Sequence, residues 1–309
     1  MKIDSRTVLQ AYLLMGASWL LWSLDPILIR IIGDDVARPI MSGGALTIAG
    51  VLMIYPALCG YKVLLRRKDL WGGFFYYIIF ATVIADLLYV IAIRNLNPGL
   101  TSLILRSQIV MAIFSAWMCF GEKPNRVTLF GMVIVIIGYI ANAWISIAKS
   151  SEPSRNPTLG WLCALGAAIL WTGATIMGKK LMENLKSSHL CGMRMLTAGL
   201  ITIVGYCCLG GAGEFAKLSG QQWAILAIKA VVCSGLPFAL YMYGLHLAPV
   251  TAAAAMEQAA PLCTLFVATF ILKETVPLLQ WLAIAVVFVG ATIILVNQYR
   301  KSTSDSKEM

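Results

Sequence analysis

Ten times along this chain, about 20 residues pass with almost no charge, the length that crosses a ~30 Å hydrocarbon core at 1.5 Å per residue. A water-soluble domain does not tolerate such runs, because the apolar surface left over would associate. Lipid does. In lipid each backbone N–H and C=O must be satisfied within its own segment, so every run is expected to be a helix. The runs are Ala11–Ile32, Met41–Cys59, Trp71–Ile93, Gly99–Phe120, Val127–Ala148, Leu159–Lys180, Leu190–Gly211, Gln222–Leu245, Val250–Leu272 and Leu278–Gln298. Composition agrees. Hydrophobic residues make up 60% of the 309 and charged residues only 12%, with a mean hydropathy of +0.82, against about 25% charged in soluble domains.

The first run is too long for a signal peptide, contains Asp25 and Pro26, and ends without a small-x-small cleavage pattern. It reads as the first spanning helix. Residues 149–158, KSSEPSRNPT, are polar with two prolines and read as a linker. It separates a first five-helix unit (1–148) from a second (159–298). The charged segment 299–309 is expected to be a mobile cytoplasmic tail.

The two units match in sequence. LWSLDPILIRII from Leu21 aligns with LWTGATIMGKKL from Leu170, so Trp22 matches Trp171 and Arg30 matches Lys179. Pro98 and Gly99, opening the fourth run, correspond to Pro249 and Val250, opening the ninth. The fourth run ends in FGEKP around Glu122 and the ninth in LKETVP around Glu274, and each is followed by a glycine-containing helix. Five is odd, so the second unit starts from the opposite side of the membrane. The expected fold is therefore an all-α membrane protein of ten transmembrane helices, built as two inverted five-helix repeats. Many secondary transporters place their substrate site at such a repeat interface.

Of the 24 Lys and Arg, 14 fall on the side holding both termini and 7 on the other, while Arg106, Arg194 and Lys229 lie within helices. The positive-inside rule puts both termini in the cytoplasm of a multi-pass inner (plasma) membrane protein. The formal charge of +10 is spread over short connections with no basic, aromatic-interleaved stripe, so nucleic acid is not an expected partner. The eight cysteines form no C-x-x-C pair and lie mostly inside apolar runs, where they read as small core residues. Two histidines do not make a histidine-rich metal site. A nucleophile elbow, an H-E-x-x-H helix, a P-loop and a dense acidic metal motif are all missing from the sequence. No cofactor is expected, and neither a membrane enzyme nor a self-contained ATP-driven pump fits.

The paired features resemble the drug/metabolite transporter superfamily, in its EamA-type branch of duplicated five-helix halves. The resemblance spans nearly the whole chain. It rests on Glu122 and Glu274 before a glycine-containing last helix, on Pro261 in the proline position of the ninth helix, and on Trp22 and Trp171 in the first helix of each half. Arg194 resembles the family's early arginine, although the aligned site in the second helix is Gly44, and Val110 stands near the place that Pro261 takes in the second half. The resemblance implies ten helices, alternating access, and export or uptake of amino acids, sugars, nucleotides or related metabolites.

An ionisable residue inside a spanning helix is expensive and marks a functional site by default. Asp25, Asp86 and Arg106 each lie ~7 residues from the outer end of their helix, ~10 Å below the boundary, with Lys229 at a similar depth. These four either pair or line a wet vestibule. Glu257 lies ~7 residues in from the cytoplasmic end of the ninth helix. Arg106 and Glu257 hold nearly equivalent places in the fourth and ninth helices, which a pseudo-twofold axis puts on opposite sides of the midplane, both facing the repeat interface. With Gln108, Gln258, Trp22, Trp171, Tyr89, Tyr241 and Tyr243 nearby, they suggest an aromatic-lined pathway with one acid and one base. That suits a zwitterion such as an amino acid, with guanidinium forking onto carboxylate and ammonium held by Glu257 and an aromatic face. Asp25, Asp86 and Glu257 are the candidate proton carriers. Glu122 and Glu274 are read as structural, tying down helix ends, and Lys179 and Lys180 as snorkelling interface residues. Gly131, Gly138 and Gly290 permit close helix approach, for which a homodimer face is one use. The leading expectation is a secondary carrier exporting a small polar metabolite. Carriers of organic cations or nucleotides, and a non-transporting membrane partner, stand as alternatives.

Overall fold

A computed structural model describes residues 5–33, 35–96, 98–149, 156–258, 260–266, 269–270 and 276–308. Among these, helix covers each of the ten apolar runs and no strand occurs. Seven helices are continuous, long and apolar enough to cross a membrane: Lys68–Ala92, Leu103–Phe120, Arg126–Ile145, Pro157–Leu181, Ser187–Cys208, Gly220–Leu247 and Leu278–Lys301. An eighth span is a bent pair, Ile40–Leu52 and Ile54–Arg66, with 85° between its arms. The first run forms two helices, Ser5–Trp22 and Asp25–Ile32, and the ninth forms Val250–Glu257 and Ala260–Phe266.

Proline explains where three of these helices break. Proline lacks the N–H that would reach the carbonyl four residues earlier, and its ring crowds that carbonyl. Pro26, Pro56 and Pro261 stand four residues after Trp22, Leu52 and Glu257, the last residues of the three interrupted helices. The fourth run also pauses, at Ser107 between Pro98–Arg106 and Gln108–Phe120, although Val110 stands where a proline would. There Ser107 bonds back on the preceding turn, its Oγ 2.6 Å and its N 3.1 Å from the Ile104 oxygen, a local alternative to the α-helical ladder.

Two expected boundaries move. The second helix does not end at Cys59 but bends at Met53 and runs to Arg66. The last helix does not stop at Gln298 but continues through the charged segment to Glu308, since no glycine or proline interrupts it.

The halves pack on each other in a self-consistent pattern. The first helix lies against the eighth and the sixth against the third, while the second meets the seventh and the fifth meets the tenth. Exchanging the halves maps this set onto itself. The self-paired contacts are antiparallel, as an inverted repeat requires. A Cβ on Gly43, Gly50 and Gly60 would meet Thr202, Leu196 and Met193 in turn, and one on Gly131 and Gly138 would meet Ile294 and Val287. Gly131, Gly138 and Gly290 are thus used inside the chain, at the crossing of the fifth and tenth helices, rather than on an outward face.

Leu13, Leu162, Met118, Trp144 and Leu279 are exposed, as expected of a surface solvated by lipid. The core is built from small and apolar residues such as Ala11, Ala45, Ala81, Leu190 and Leu226.

Candidate substrate pathway

The broken first, fourth and ninth helices bring charge and aromatic surface to the middle of the bundle. Arg106 and Glu257 are the residues immediately before the breaks of the fourth and ninth helices. They are not apart across the midplane: Nη1 of Arg106 lies 3.6 Å from Oε1 of Glu257, joining one half to the other. The Arg106 guanidinium also sits 5.9 Å over the Tyr139 ring. Beyond the ninth-helix break, Gln258 is buried. Its Nε2 donates to the Ala254 oxygen at 2.8 Å, while its Oε1 has no hydrogen-bond partner among the described residues. Gln108 opens the helix after the fourth-helix break and is partly buried.

Asp25 begins the short helix after the first break, and its carboxylate is ion-paired with Lys229 of the other half. Lys229 is buried and ends a helical turn that passes directly into a π-helical stretch, Ala230–Gly235. The third helix carries the matching device, Tyr76–Ile84. The two stretches end 151 residues apart (235 − 84), the separation of Arg106 and Glu257 (257 − 106). Pro237, whose missing N–H disturbs the preceding turn, accounts for the second. The place equivalent to Pro237 in the first half is Asp86, two residues past the π-helical stretch. Asp86 interacts with the Trp171 indole and feels the charge of Arg194. The Trp171 ring also touches Tyr89, with centroids 5.2 Å apart.

Trp22 forms the other aromatic wall. Its ring lies 4.6 Å from Trp19, 5.6 Å from Tyr241 and 6.4 Å from Phe238. Phe238 in turn carries the Arg194 guanidinium 4.2 Å over its face, and Tyr77 carries it at 5.1 Å. Tyr243, by contrast, points outward and is half exposed.

At the end bearing both chain termini, where Tyr12 and Tyr299 stand edge to face at 6.3 Å, Glu122 closes the bundle. Its carboxylate accepts from the Val250 N at 2.9 Å, the Thr251 N at 3.0 Å and the Thr251 Oγ1 at 2.9 Å. It thereby caps the ninth helix from the opposite half. Lys179 does not snorkel. Its Nζ lies 3.5 Å from Glu122 and donates to the Ala248 oxygen at 2.6 Å. Glu274 lies outside the described residues, as does the side chain of Pro261.

Sequence reasoning singled out Trp22, Asp25, Asp86, Tyr89, Arg106, Trp171, Lys229, Tyr241 and Glu257, and the structure gathers these about one region. It missed Trp19, Tyr77 and Phe238, which are ordinary aromatic residues of apolar runs, and it gave Arg194 no role. The sequence held no signal for Arg194 beyond its charge inside an apolar run, since only the structure shows which buried charges pair. An apolar groove of about 510 Å³ between the fifth and tenth helices, walled by Ile137, Trp144, Leu282 and Val286, faces lipid and offers no polar group to a substrate. No group of three or more metal-ligating side chains occurs among the described residues.

Comparison with known proteins gives this geometry a context. An uncharacterized transporter of Synechocystis sp. is 22% identical over 315 residues, covering 96% of this chain and 93% of its own. An uncharacterized transporter of Bacillus subtilis, YcbK, is 22% identical over 253 residues, covering 79% and 77%. A short match, 29% identical over 90 residues and 29% of each chain, is to an Escherichia coli protein named "Probable amino-acid metabolite efflux pump". One crystal structure superposes on 94% of this chain and 98% of its own with a TM-score of 0.76 at 16% identity, a likeness of fold alone. The profile of the EamA-like transporter family matches residues 9–144 and 158–296, one stretch for each half of the pseudo-symmetric bundle. The chain is a multi-pass membrane protein that belongs to the EamA-like transporter family.

Proposed function

We propose that the protein is a secondary transporter that exports a small zwitterionic metabolite, an amino acid or a close relative, across the inner (plasma) membrane by alternating access. The observation that carries this reading is the Arg106–Glu257 contact. A cation and an anion from opposite halves, each beside a helix break, meet at 3.6 Å. Such an ion pair holds the halves together in the occluded state and must part when either side opens. The aromatic surface of Trp22, Tyr241, Trp171 and Tyr89 borders the same region and suits an apolar side chain. Balanced charge favours a neutral zwitterion over a net ion. Similarity to a protein named for amino-acid metabolite efflux supports the substrate class.

Among the described residues, Glu122–Lys179 on the side of the termini and Asp25–Lys229 toward the other side are two further inter-half ion pairs. Breaking one while keeping the other opens the pathway to a single side. A proton or a counter-substrate drives the cycle, with the carboxylates of Asp25, Asp86 and Glu257 as carriers. Both termini face the cytoplasm on this reading, and the halves divide at the polar linker.

The test is uptake of a radiolabelled amino-acid panel into proteoliposomes holding folded protein, with and without a pH gradient. Accumulation of at least one zwitterionic amino acid is expected. A folded protein that moves none of the panel refutes the substrate class. Tags placing the two termini on different faces of the membrane refute the topology.

A further inference from the structure

Among the described residues, the buried charges leave one cation, Arg194, without a carboxylate in ion-pair range. Asp25, Asp86 and Glu257 are the acids deep in the helices, and Arg106, Lys229 and Arg194 are the bases. Asp25 pairs with Lys229 and Glu257 with Arg106, which leaves Asp86 and Arg194. Those two sense each other's charge, yet they form no ion pair within 4.0 Å among the described residues. Arg194 is instead boxed by rings. Its guanidinium stacks on Phe238 at 4.2 Å and on Tyr77 at 5.1 Å, and Nη1 donates to the Tyr77 hydroxyl at 3.3 Å. Its Nε is buried with no hydrogen-bond partner among the described residues.

A buried guanidinium with spare donors is costly unless an anion completes it. Phe238 and Tyr77 hold the guanidinium in place and the Tyr77 hydroxyl takes Nη1, so the N–H groups that remain, Nε among them, are where a planar, forked acceptor binds. We propose that Arg194 is the specificity-determining residue that anchors the substrate carboxylate, with the ammonium directed toward Asp86 and the apolar side chain against Trp22, Phe238 and Tyr241. Arg194 and Asp86 carry opposite charges, so a zwitterion completes both and adds no net charge. This assignment rests on the transporter reading given above and supplies its substrate contact. It also frees Arg106 and Glu257 to serve as the contact between halves.

The test uses purified full-length protein, with thermal stabilisation as the measure of binding. The probes are L-leucine and L-phenylalanine, the leucine analogue lacking the carboxylate (leucinamide), and the analogue lacking the amine (4-methylpentanoate). Wild type is expected to be stabilised by both amino acids, less by 4-methylpentanoate, and not by leucinamide. Arg194→Gln should weaken L-leucine binding by at least about 30-fold, the scale of removing one partner of a buried charged hydrogen bond. Arg194→Lys keeps the charge but not the fork or the stacking and should recover only part. Equal binding of L-leucine and leucinamide by wild type needs no variant and overturns the assignment, as does unchanged L-leucine affinity in folded Arg194→Gln or Arg194→Lys. Failure of folded wild type to bind either amino acid or the carboxylate analogue overturns the assignment and the amino-acid reading beneath it. Binding that survives in the variants overturns the assignment alone.

Discussion

Gly138 and Gly290 occupy one place seen from the two halves. A Cβ on Gly138 would stand 2.9 Å from the Val287 nitrogen and 3.0 Å from the Ala283 oxygen; one on Gly290 would stand 2.8 Å from the Val135 nitrogen and 2.7 Å from the Gly131 oxygen. Every residue in the first set lies 152 from its counterpart (290 − 138, 287 − 135, 283 − 131). The fifth and tenth helices therefore touch backbone to backbone under a local twofold, the close approach that small residues permit in lipid.

Gly138→Ala and Gly290→Ala should each destabilise the protein, because the obstacle is backbone and cannot swing away. Overpacking of this kind costs about 1–3 kcal/mol, and the symmetry makes the two costs similar. Melting temperature in detergent, followed by size-exclusion chromatography of heated samples, checks this. Gly205→Ala, with open space at its Cβ, should leave the melting temperature unchanged or slightly higher.

Removing one member of the Arg106–Glu257 pair leaves the other charge partly buried and alone, at a cost of at most about 3–5 kcal/mol, the value for a fully buried pair. Arg106→Gln and Glu257→Gln should each lower stability sharply, while the double variant should be more stable than either single one. A double-mutant cycle on melting temperature and folded yield reads the coupling. Additive single effects would mean that the contact is incidental.

Glu122→Ala deprives the ninth helix of a cap that accepts three hydrogen bonds and removes the carboxylate beside Lys179. A loss of about 2–3 kcal/mol is expected. Hydrogen exchange should rise in residues 248–257 far more than in the fifth helix. Glu122→Gln, which keeps an acceptor but no charge, should fall between.

Gln222 Nε2 donates to Asp35 Oδ2 at 3.0 Å, joining the halves on the side away from the termini. With the native cysteines replaced, a reducible bifunctional thiol reagent bridging Asp35→Cys and Gln222→Cys should stop transport in proteoliposomes, and reductant should restore it. Transport that continues through the cross-link would show that these residues do not move apart in the cycle.

Much of the fold was legible because lipid makes the sequence state its own elements. Long apolar runs must be helices. The breaks within those runs were not read, although Pro26, Pro56 and Pro261 stand at three of them, the bend at Met53 included, because run length alone does not say that a helix is interrupted. The fourth-helix break carries no such mark, since Val110 stands there and the serine bond that replaces a proline is local geometry. In the pathway, residue types and depths named most of the charged side chains. Their pairing stayed open, and Lys179 was misread as an interface residue because its partners Glu122 and Ala248 are distant in sequence.

By itself the sequence determined that the chain is helical, apolar and built of two matching halves, since run length and internal repetition are properties of the chain alone. Only the tertiary structure decided that Arg106 meets Glu257, that Asp25 meets Lys229, and that Arg194 is left among rings. The reason is geometric. Contact between charges on different helices depends on the rotation and relative depth of those helices, and both are set by small residues packing at crossings such as Gly138 with Gly290.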